Sequence, residues 1–288
     1  MIDLSIFIVN YNGAKFISQC LDSVFASDVQ FTYEVIVVDN NSTDSSLSLL
    51  KKYGAQIQLI NNSENQGFSY ANNQAAESAK GKTYFLLNND TILEKDTLQI
   101  LFEFLKENPK VGAITPKLCF EDGRLQAPGS IFGKWRFNSL VPVQVPFIAG
   151  AAVMMSASVY KAIGGLDANL FFYNDDIDMC KMLTKLGYPI YYVPTAKLIH
   201  FGGLSTKFRK IGSLIEGYRG GLYVCYKHYH KIVFFIYQFL VLLDCLVRLS
   251  IHLILSLLSH ESRAFVKAYL RVMCIVFKRE IFYTKLKE

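Results

Sequence analysis

Through its first 115 residues this chain alternates short apolar runs with amphipathic segments, and the apolar runs stop at polar tips. The strand-like runs are Leu4–Val9, Glu34–Val38, Gln56–Ile60, Thr83–Leu87 and Val111–Thr115. Between them, helical spacing of apolar residues marks 14–26, 44–53, 68–79 and 95–107 as helices. Such alternation restricts the fold to α/β, with a mostly parallel central sheet flanked by helices on both faces. Parallel strands share one carboxyl edge, and open α/β sheets bind their ligands there. The tips gathered at that edge are Asn10-Tyr11-Asn12-Gly13, Asp39-Asn40-Asn41-Ser42 and Asn88-Asn89-Asp90. A polar edge of this composition suits a nucleotide.

Each tip supports two readings. The run Tyr84–Leu87 ends in Asn88-Asn89-Asp90, so Asp90 can hold a hard cation and, through it, a diphosphate. The same residues also make an ordinary Asx turn. Asp39 can accept the N3–H of a uracil or thymine ring, or the stretch Asp39–Asp44 can cap the following helix. Val9, Asn10, Asn88 and Asn89 complete the nucleotide-binding candidates at these tips. In Asn65-Gln66-Gly67-Phe68-Ser69, Gly67 permits close backbone approach, and the helix that follows, with Asn72, can face phosphate or nucleoside groups.

Further along, Phe171-Phe172-Tyr173-Asn174-Asp175-Asp176-Ile177-Asp178 places three carboxylates at the start of a helix that Met179, Leu183 and Leu186 anchor to the core. Acids there are favoured by the helix dipole alone. One of them facing a pocket, Asp175 or Asp176, can instead serve as a general base for a sugar hydroxyl. His200 follows the strand-like 196–199 and precedes two glycines, either as a structural residue or as a ligand for cation or diphosphate. Lys207 and Arg209 lie on a basic loop able to close over phosphate.

The chain is 51% hydrophobic, with mean hydropathy +0.23 and only 19% charged residues. The excess lies after about residue 231, which divides the chain into a globular domain, 1–231, and a helical membrane-associating segment, 232–288. The apolar run 232–259 is long enough to span a bilayer. Asp244, Arg248 and His252, four residues apart, give it one polar face. An interfacial helix, or a shallow hairpin with the next helix, is therefore expected. Many basic residues lie in the tail, which suits an anionic membrane surface; no nucleic-acid-binding motif accompanies them. The six cysteines are scattered, against a disulfide framework or structural zinc, and no signal-like segment opens the chain. Residues 116–147 break the alternation with glycines, prolines and aromatics, as a long excursion beside a site does.

Taken in order, eight strings resemble the GT-A fold glycosyltransferases of family 2, especially rhamnosyltransferase-like enzymes of bacterial surface polysaccharide assembly. They are SIFIVNYNG (5–13), YEVIVVDNNSTD (33–44), NQGFSYANN (65–73), YFLLNNDT (84–91), FIAGAAVMM (147–155), GGLDANLFFYNDDIDMC (164–180), LGYPIYYVPTAKLIHFGGLS (186–205) and YKHYHK (226–231). The resemblance implies that Asp39 recognises a pyrimidine and that Asp90 is the retained acid of a metal-binding motif whose first carboxylate is replaced by Asn88. It makes Asp176 the catalytic base, Asp175 its neighbour where relatives often carry Glu, and His200 a helper of the metal or diphosphate. Met182 stands where many relatives have Arg.

The implied activity is inverting transfer of a sugar, rhamnose from dTDP-rhamnose in the first instance, to a lipid-linked oligosaccharide of O-antigen, capsule or exopolysaccharide. A divalent cation, Mn2+ or Mg2+, would assist. The alternatives are another UDP-sugar-dependent transferase or a catalytically silent nucleotide-sugar-binding subunit. The expected setting is the cytoplasmic face of the membrane, peripheral or monotopic, with a homodimer through the C-terminal helices as a further possibility.

Overall fold

The computed structural model describes residues 2–127, 134–202, 210–256, 259–278 and 280–282. The chain forms two compact units, Met1–Asp167 with Asp176–Ser205, and Ala168–Asp175 with Thr206–Glu288.

In the first unit the strands are β1 (Leu4–Asn10), β2 (Tyr33–Asp39), β3 (Gln58–Asn61), β4 (Thr83–Asn88), β5 (Thr91–Leu93), β6 (Ala113–Cys119), β7 (Val143–Gln144), β8 (Ala152–Ser156) and β9 (Ile190–His200). They form one sheet in the order β3-β2-β1-β4-β8-β6-β9-β5, with β7 also on β9. The expected parallel core is β3-β2-β1-β4. Beyond it β8 lies antiparallel to both β4 and β6, so the sheet is mixed. The excursion 116–147 explains this. β6 reaches the carboxyl edge and the chain returns from that same edge as β8, with no crossover α-helix among the described residues, as an antiparallel strand can do.

The helices of this unit are α1 (Ile17–Phe25), α2 (Ser46–Lys51), α3 (Phe68–Ser78), α4 (Thr97–Glu107), α5 (Ala157–Ala162) and α6 (Asp175–Lys185), whose first residue groups with the second unit. Successive residues of β1, β2 and β4 enter opposite cores. Ile6, Ile8, Val35, Val37, Phe85 and Leu87 pack with α1 and α4 residues such as Leu21 and Leu101. Phe7, Ile36, Val38, Tyr84 and Leu86 pack with Ala71, Ala75, Val159 and Leu183 on the other face. Burial on both faces is why these strands read as continuous apolar runs.

The register fixes the edge. Asn10 pairs with Asp39, Val9 with Asn88, and Asp39 with Asn61, so four strand tips end level with one another. β6 and β9 run parallel to each other up to Cys119 and Ile199. β5, invisible in the sequence at three residues long, pairs antiparallel with β9 and sets Thr91 opposite His200.

The second unit contains α7 (Lys210–His228), α8 (Lys231–Leu255) and α9 (His260–Lys278). Helix α7, read from sequence with the first domain, groups here together with Ala168–Asp175. Its core holds Leu170, Leu222, Val241, Cys245, Val272 and Ile275. A buried ion pair sits inside it: Arg219 Nη2 lies 2.6 Å from Glu216 Oε2, and Arg219 Nη1 donates to the carbonyls of Asn169 and Ile281. Arg219 thereby ties α7 to both flanking segments of its unit. Arg219→Met leaves Glu216 buried without its cation and is expected to cost about 3–5 kcal/mol in urea unfolding monitored by helix signal.

Candidate active site

Three strand tips are stitched together by side-chain amides. Asn10, fully buried, donates from Nδ2 to Asp39 Oδ1 at 2.7 Å and accepts at Oδ1 from Asn89 Nδ2 at 2.7 Å. Ser42 donates to Asp39 twice, from its hydroxyl to Oδ1 at 2.7 Å and from its backbone N–H to Oδ2 at 2.9 Å. Asp39 is therefore an organiser with three of roughly four acceptor positions filled. The two readings of Asp39–Asp44 separate cleanly: Asp44, not Asp39, accepts the N–H of Ser46 at the start of α2 and also that of Ala14. Burial alone would raise the Asp44 pKa, but those hydrogen bonds hold it below the ordinary carboxylate value. Gly13 makes the knot possible, because a Cβ there would fall 2.1 Å from Asn89 Nδ2 and 2.3 Å from Asn10 Oδ1.

One step along the edge lies a second cluster. β5–β9 pairing sets His200 Nε2 3.3 Å from Asp90 Oδ1 and 3.5 Å from Asn88 Nδ2. On its other side, His200 Nδ1 is 2.6 Å from Gln126 Oε1. A carbonyl oxygen can only accept, so Gln126 holds a proton on Nδ1 and turns Nε2 towards Asp90. Nε2 and the carboxylate can share a proton there or, with Nε2 unprotonated, a cation. A divalent cation fits this donor set, one carboxylate oxygen and one imidazole nitrogen, with its remaining positions open to phosphate and water. No group of three or more His, Cys, Asp and Glu occurs together among the described residues, so the protein alone offers a sparse site. Cys20 is packed beneath the tip against Asn88 O and Thr91, and burial pushes its thiol up to about 12.

The third element is Asp176, near the start of α6. Its Oδ1 accepts from the N–H of Ile177 at 2.8 Å and its Oδ2 from that of Gly150 at 3.4 Å. Burial raises its pKa above the ordinary carboxylate value, against the pull of those two N–H groups. Ala151, the next residue after Gly150, accepts from the N–H of Asn88 at 2.9 Å. One strap, Gly150-Ala151, thus touches the Asp176 carboxylate and the β4 tip that bears Asp90. The chain enters α6 through Tyr173 (φ 65°) and Asn174 (φ 64°), both left-handed, and Asn174 Nδ2 donates to Gly217 O. Left-handed backbone at a tyrosine is worth about 1–2 kcal/mol of strain. Asp175 follows directly as the first residue of α6.

Asn65 Oδ1 accepts the N–H of Gly67 (φ 88°), whose carbonyl accepts from Asn40 Nδ2, so this loop is held to the β2 tip. Asn72 donates to Phe68 O, while its Oδ1 and the Ser69 hydroxyl are enclosed by protein with no hydrogen-bond partner. Val9 lies between Val38 and Asn88 at the edge. Lys207 and Arg209 lie outside the described residues. Sequence reading missed Gln126, which sits in the aperiodic excursion and is held there by its N–H on Leu118 O. It also missed Gly150, whose only signal was its place in a run of small residues.

The family model described as glycosyl transferase family 2 matches residues 5–164. Among curated relatives, O-antigen biosynthesis protein RfbC of Myxococcus xanthus is 26% identical over 209 residues, 65% of this chain and 16% of its own length. An N-acetylglucosaminyl-diphospho-decaprenol L-rhamnosyltransferase of Mycobacterium tuberculosis is 23% identical over 238 residues, 70% of this chain and 77% of its own. The chain spans 16%, 24% and 32% of the length of three further-extended relatives, RfbC among them. The fold matches S. aureus TarS 1–349 with TM-score 0.57 at 16% identity, covering 98% of this chain and 93% of that one. It also matches GalNAc-T7 crystallised with UDP, GalNAc and Mn2+, with TM-score 0.59 at 16% identity over 69% of this chain and 43% of that one. These neighbours establish the GT-A fold expected from the sequence. With its family model covering more than half the length, the chain belongs to glycosyl transferase family 2.

Proposed function

We propose that this protein is an inverting glycosyltransferase that moves a sugar from a nucleotide diphosphate to a lipid-linked oligosaccharide in surface polysaccharide synthesis. The favoured donor is dTDP-rhamnose, a choice supported by the name of the Mycobacterium tuberculosis relative, an L-rhamnosyltransferase; the Myxococcus xanthus relative, named for O-antigen biosynthesis, supports the polysaccharide setting. The reading is carried by one observation: the Gly150-Ala151 strap joins a carboxylate of raised pKa, Asp176, to the strand tip that bears Asp90 and His200.

In this reading the donor lies along the carboxyl edge. Asp39, with one acceptor position left on Oδ2, takes the N3–H of the pyrimidine; Val9, Asn10, Asn65, Gly67, Asn72, Asn88 and Asn89 line the nucleotide. Asp90 and His200 would hold a divalent cation, Mn2+ or Mg2+, whose charge stabilises the departing diphosphate. Asp176 removes the proton of the acceptor hydroxyl as that oxygen attacks the anomeric carbon from the side opposite the diphosphate. One C–O bond forms while the other breaks, so configuration inverts. Asp175 supports the acceptor end, and Lys207 and Arg209 are assigned to the phosphates. Asp39 reads uracil and thymine alike, so a UDP-sugar is the second reading. The apolar second unit brings the site to the cytoplasmic face of a membrane, with or without dimerisation through its helices.

A base must be ionised to act. Transfer is therefore expected to fall as pH drops through the Asp176 pKa, at a pH above the usual carboxylate range, in a kcat/KM–pH profile. Asp176→Asn is expected to abolish transfer, read as nucleoside diphosphate release from a donor panel, while donor binding persists. A carboxyl whose folded pKa is raised lowers stability once pH exceeds its unfolded value, so the same variant should show an unchanged or higher Tm at neutral pH. Normal turnover in this variant would remove Asp176 from its role.

Gln126→Leu frees the His200 tautomer. It is expected to raise the cation concentration for half-maximal transfer by about 10–100-fold, with rate restored at saturating metal. An unchanged metal requirement would mean that His200 holds no cation.

A further inference from the structure

We infer that α8 lies in the plane of a membrane interface, one uncharged arc of its surface in the hydrocarbon, and does not cross the bilayer. The inference rests on the membrane partner proposed above and specifies how that partner is held.

Helix α8 is long and apolar enough to cross a membrane. Yet its surface is divided. From Ile232 to Ile254, about 33 Å at 1.5 Å per residue, one arc exposes Ile236, Phe239, Leu243, Leu246, Val247 and Ile254 with no charged side chain among them. Ser250 is the one polar residue on this arc, and its hydroxyl donates to Leu246 O. The polar residues face the other way. Tyr218 of α7 donates to Asp244, Arg248 Nε donates to both Asp244 oxygens at 2.9 and 3.0 Å, and Gln238 is buried. His252 stacks on Phe265 of α9 at 4.7 Å. Such a helix is inside out for water and suited to lipid.

The middle of α8 decides between crossing and lying flat. Asp244 and Arg248 sit there, and their side chains remain 42% and 53% exposed. In a crossing helix this pair would occupy the bilayer midplane, where charge is least tolerated. In a helix lying flat the same flank is raised to the headgroups. α9 agrees: its exposed stripe starts with Arg263 and Lys267 and continues with Leu270 and Phe277, an arrangement that snorkels at an interface.

Charge selects anionic lipid over a second copy of the chain. Residues 206–288 carry 14 Lys and Arg against five Asp and Glu, whereas the first 205 carry 16 against 19. Basic segments are drawn to anionic headgroups. Two copies meeting through α8 would instead bring two basic units together.

The test uses the full-length chain with its single tryptophan removed (Trp135→Phe) and one new tryptophan placed on the arc at Ile236, Leu243 or Ile254. Each variant is mixed with phosphatidylcholine vesicles, with or without phosphatidylglycerol, carrying bromine at shallow or deep acyl positions. All three positions should blue-shift and be quenched most by the shallow label, with binding that requires phosphatidylglycerol and weakens with salt. Deep quenching at Leu243 with shallow quenching at Ile236 and Ile254 would establish a crossing helix and overturn the inference while leaving the membrane reading intact. No quenching at any position and no vesicle co-sedimentation would remove the membrane partner itself. A blue shift without lipid quenching, in a protein that sediments as a dimer, would assign the arc to a second copy.

Discussion

The side-chain amide of Asn10 holds the functional edge together. It donates a hydrogen bond to Asp39 and accepts one from Asn89, so a single residue at the end of β1 links the tips of β2 and β4. The parallel register makes this possible by ending all three strands level. Gly13 keeps the space clear, since any Cβ would occupy the position of the two amide groups. With the β4 tip immobilised, Asp90 has one place to be, and the short β5–β9 pairing brings His200 to it. From the same tip the Gly150-Ala151 strap reaches Asp176. The three strand tips, the Asp90–His200 pair and the Asp176 carboxylate are thus tied to one hydrogen-bonded edge.

Much of this was legible in the sequence because the strands involved are buried on both faces. β1, β2 and β4 are six or seven residues long and almost wholly apolar until their tips. Asn10, Asp39, Asn88 and Asp90 could therefore be placed at the edge from the pattern alone. What escaped was whatever lacked periodicity. β5 has three residues and β7 two, too few for any alternation to register. β9 runs unbroken from Ile190 to His200, of which the sequence showed the strand-like 196–199, and its partner β6 skips register between Pro116 and Lys117. Gln126 carries no pattern at all; only the three-dimensional neighbourhood of β6 and β9 gives it a task.

The hydrogen bonds distinguish the acids residue by residue. Asp44 took the helix start that the sequence left open to Asp39. Asp39 went to the Asn10–Ser42 knot. At Asp176, half-buried at the start of α6, desolvation of the carboxyl raises its pKa against the N–H groups of Ile177 and Gly150. The second unit shows the same economy with polarity. Its buried charges are paired inward, and its longest helix turns an uncharged surface outward.

The proposed cation site draws two ligands from the protein, Asp90 and His200, and a donor diphosphate would complete it. Calorimetric titration of Mn2+ into the protein, alone and with UDP or dTDP present, tests this most directly. Cation affinity should be low alone and rise with the nucleotide, and nucleotide affinity should rise by the same factor with the cation. Equal cation affinity with and without nucleotide, or nucleotide binding indifferent to a chelator, would contradict a cation shared between Asp90, His200 and the donor.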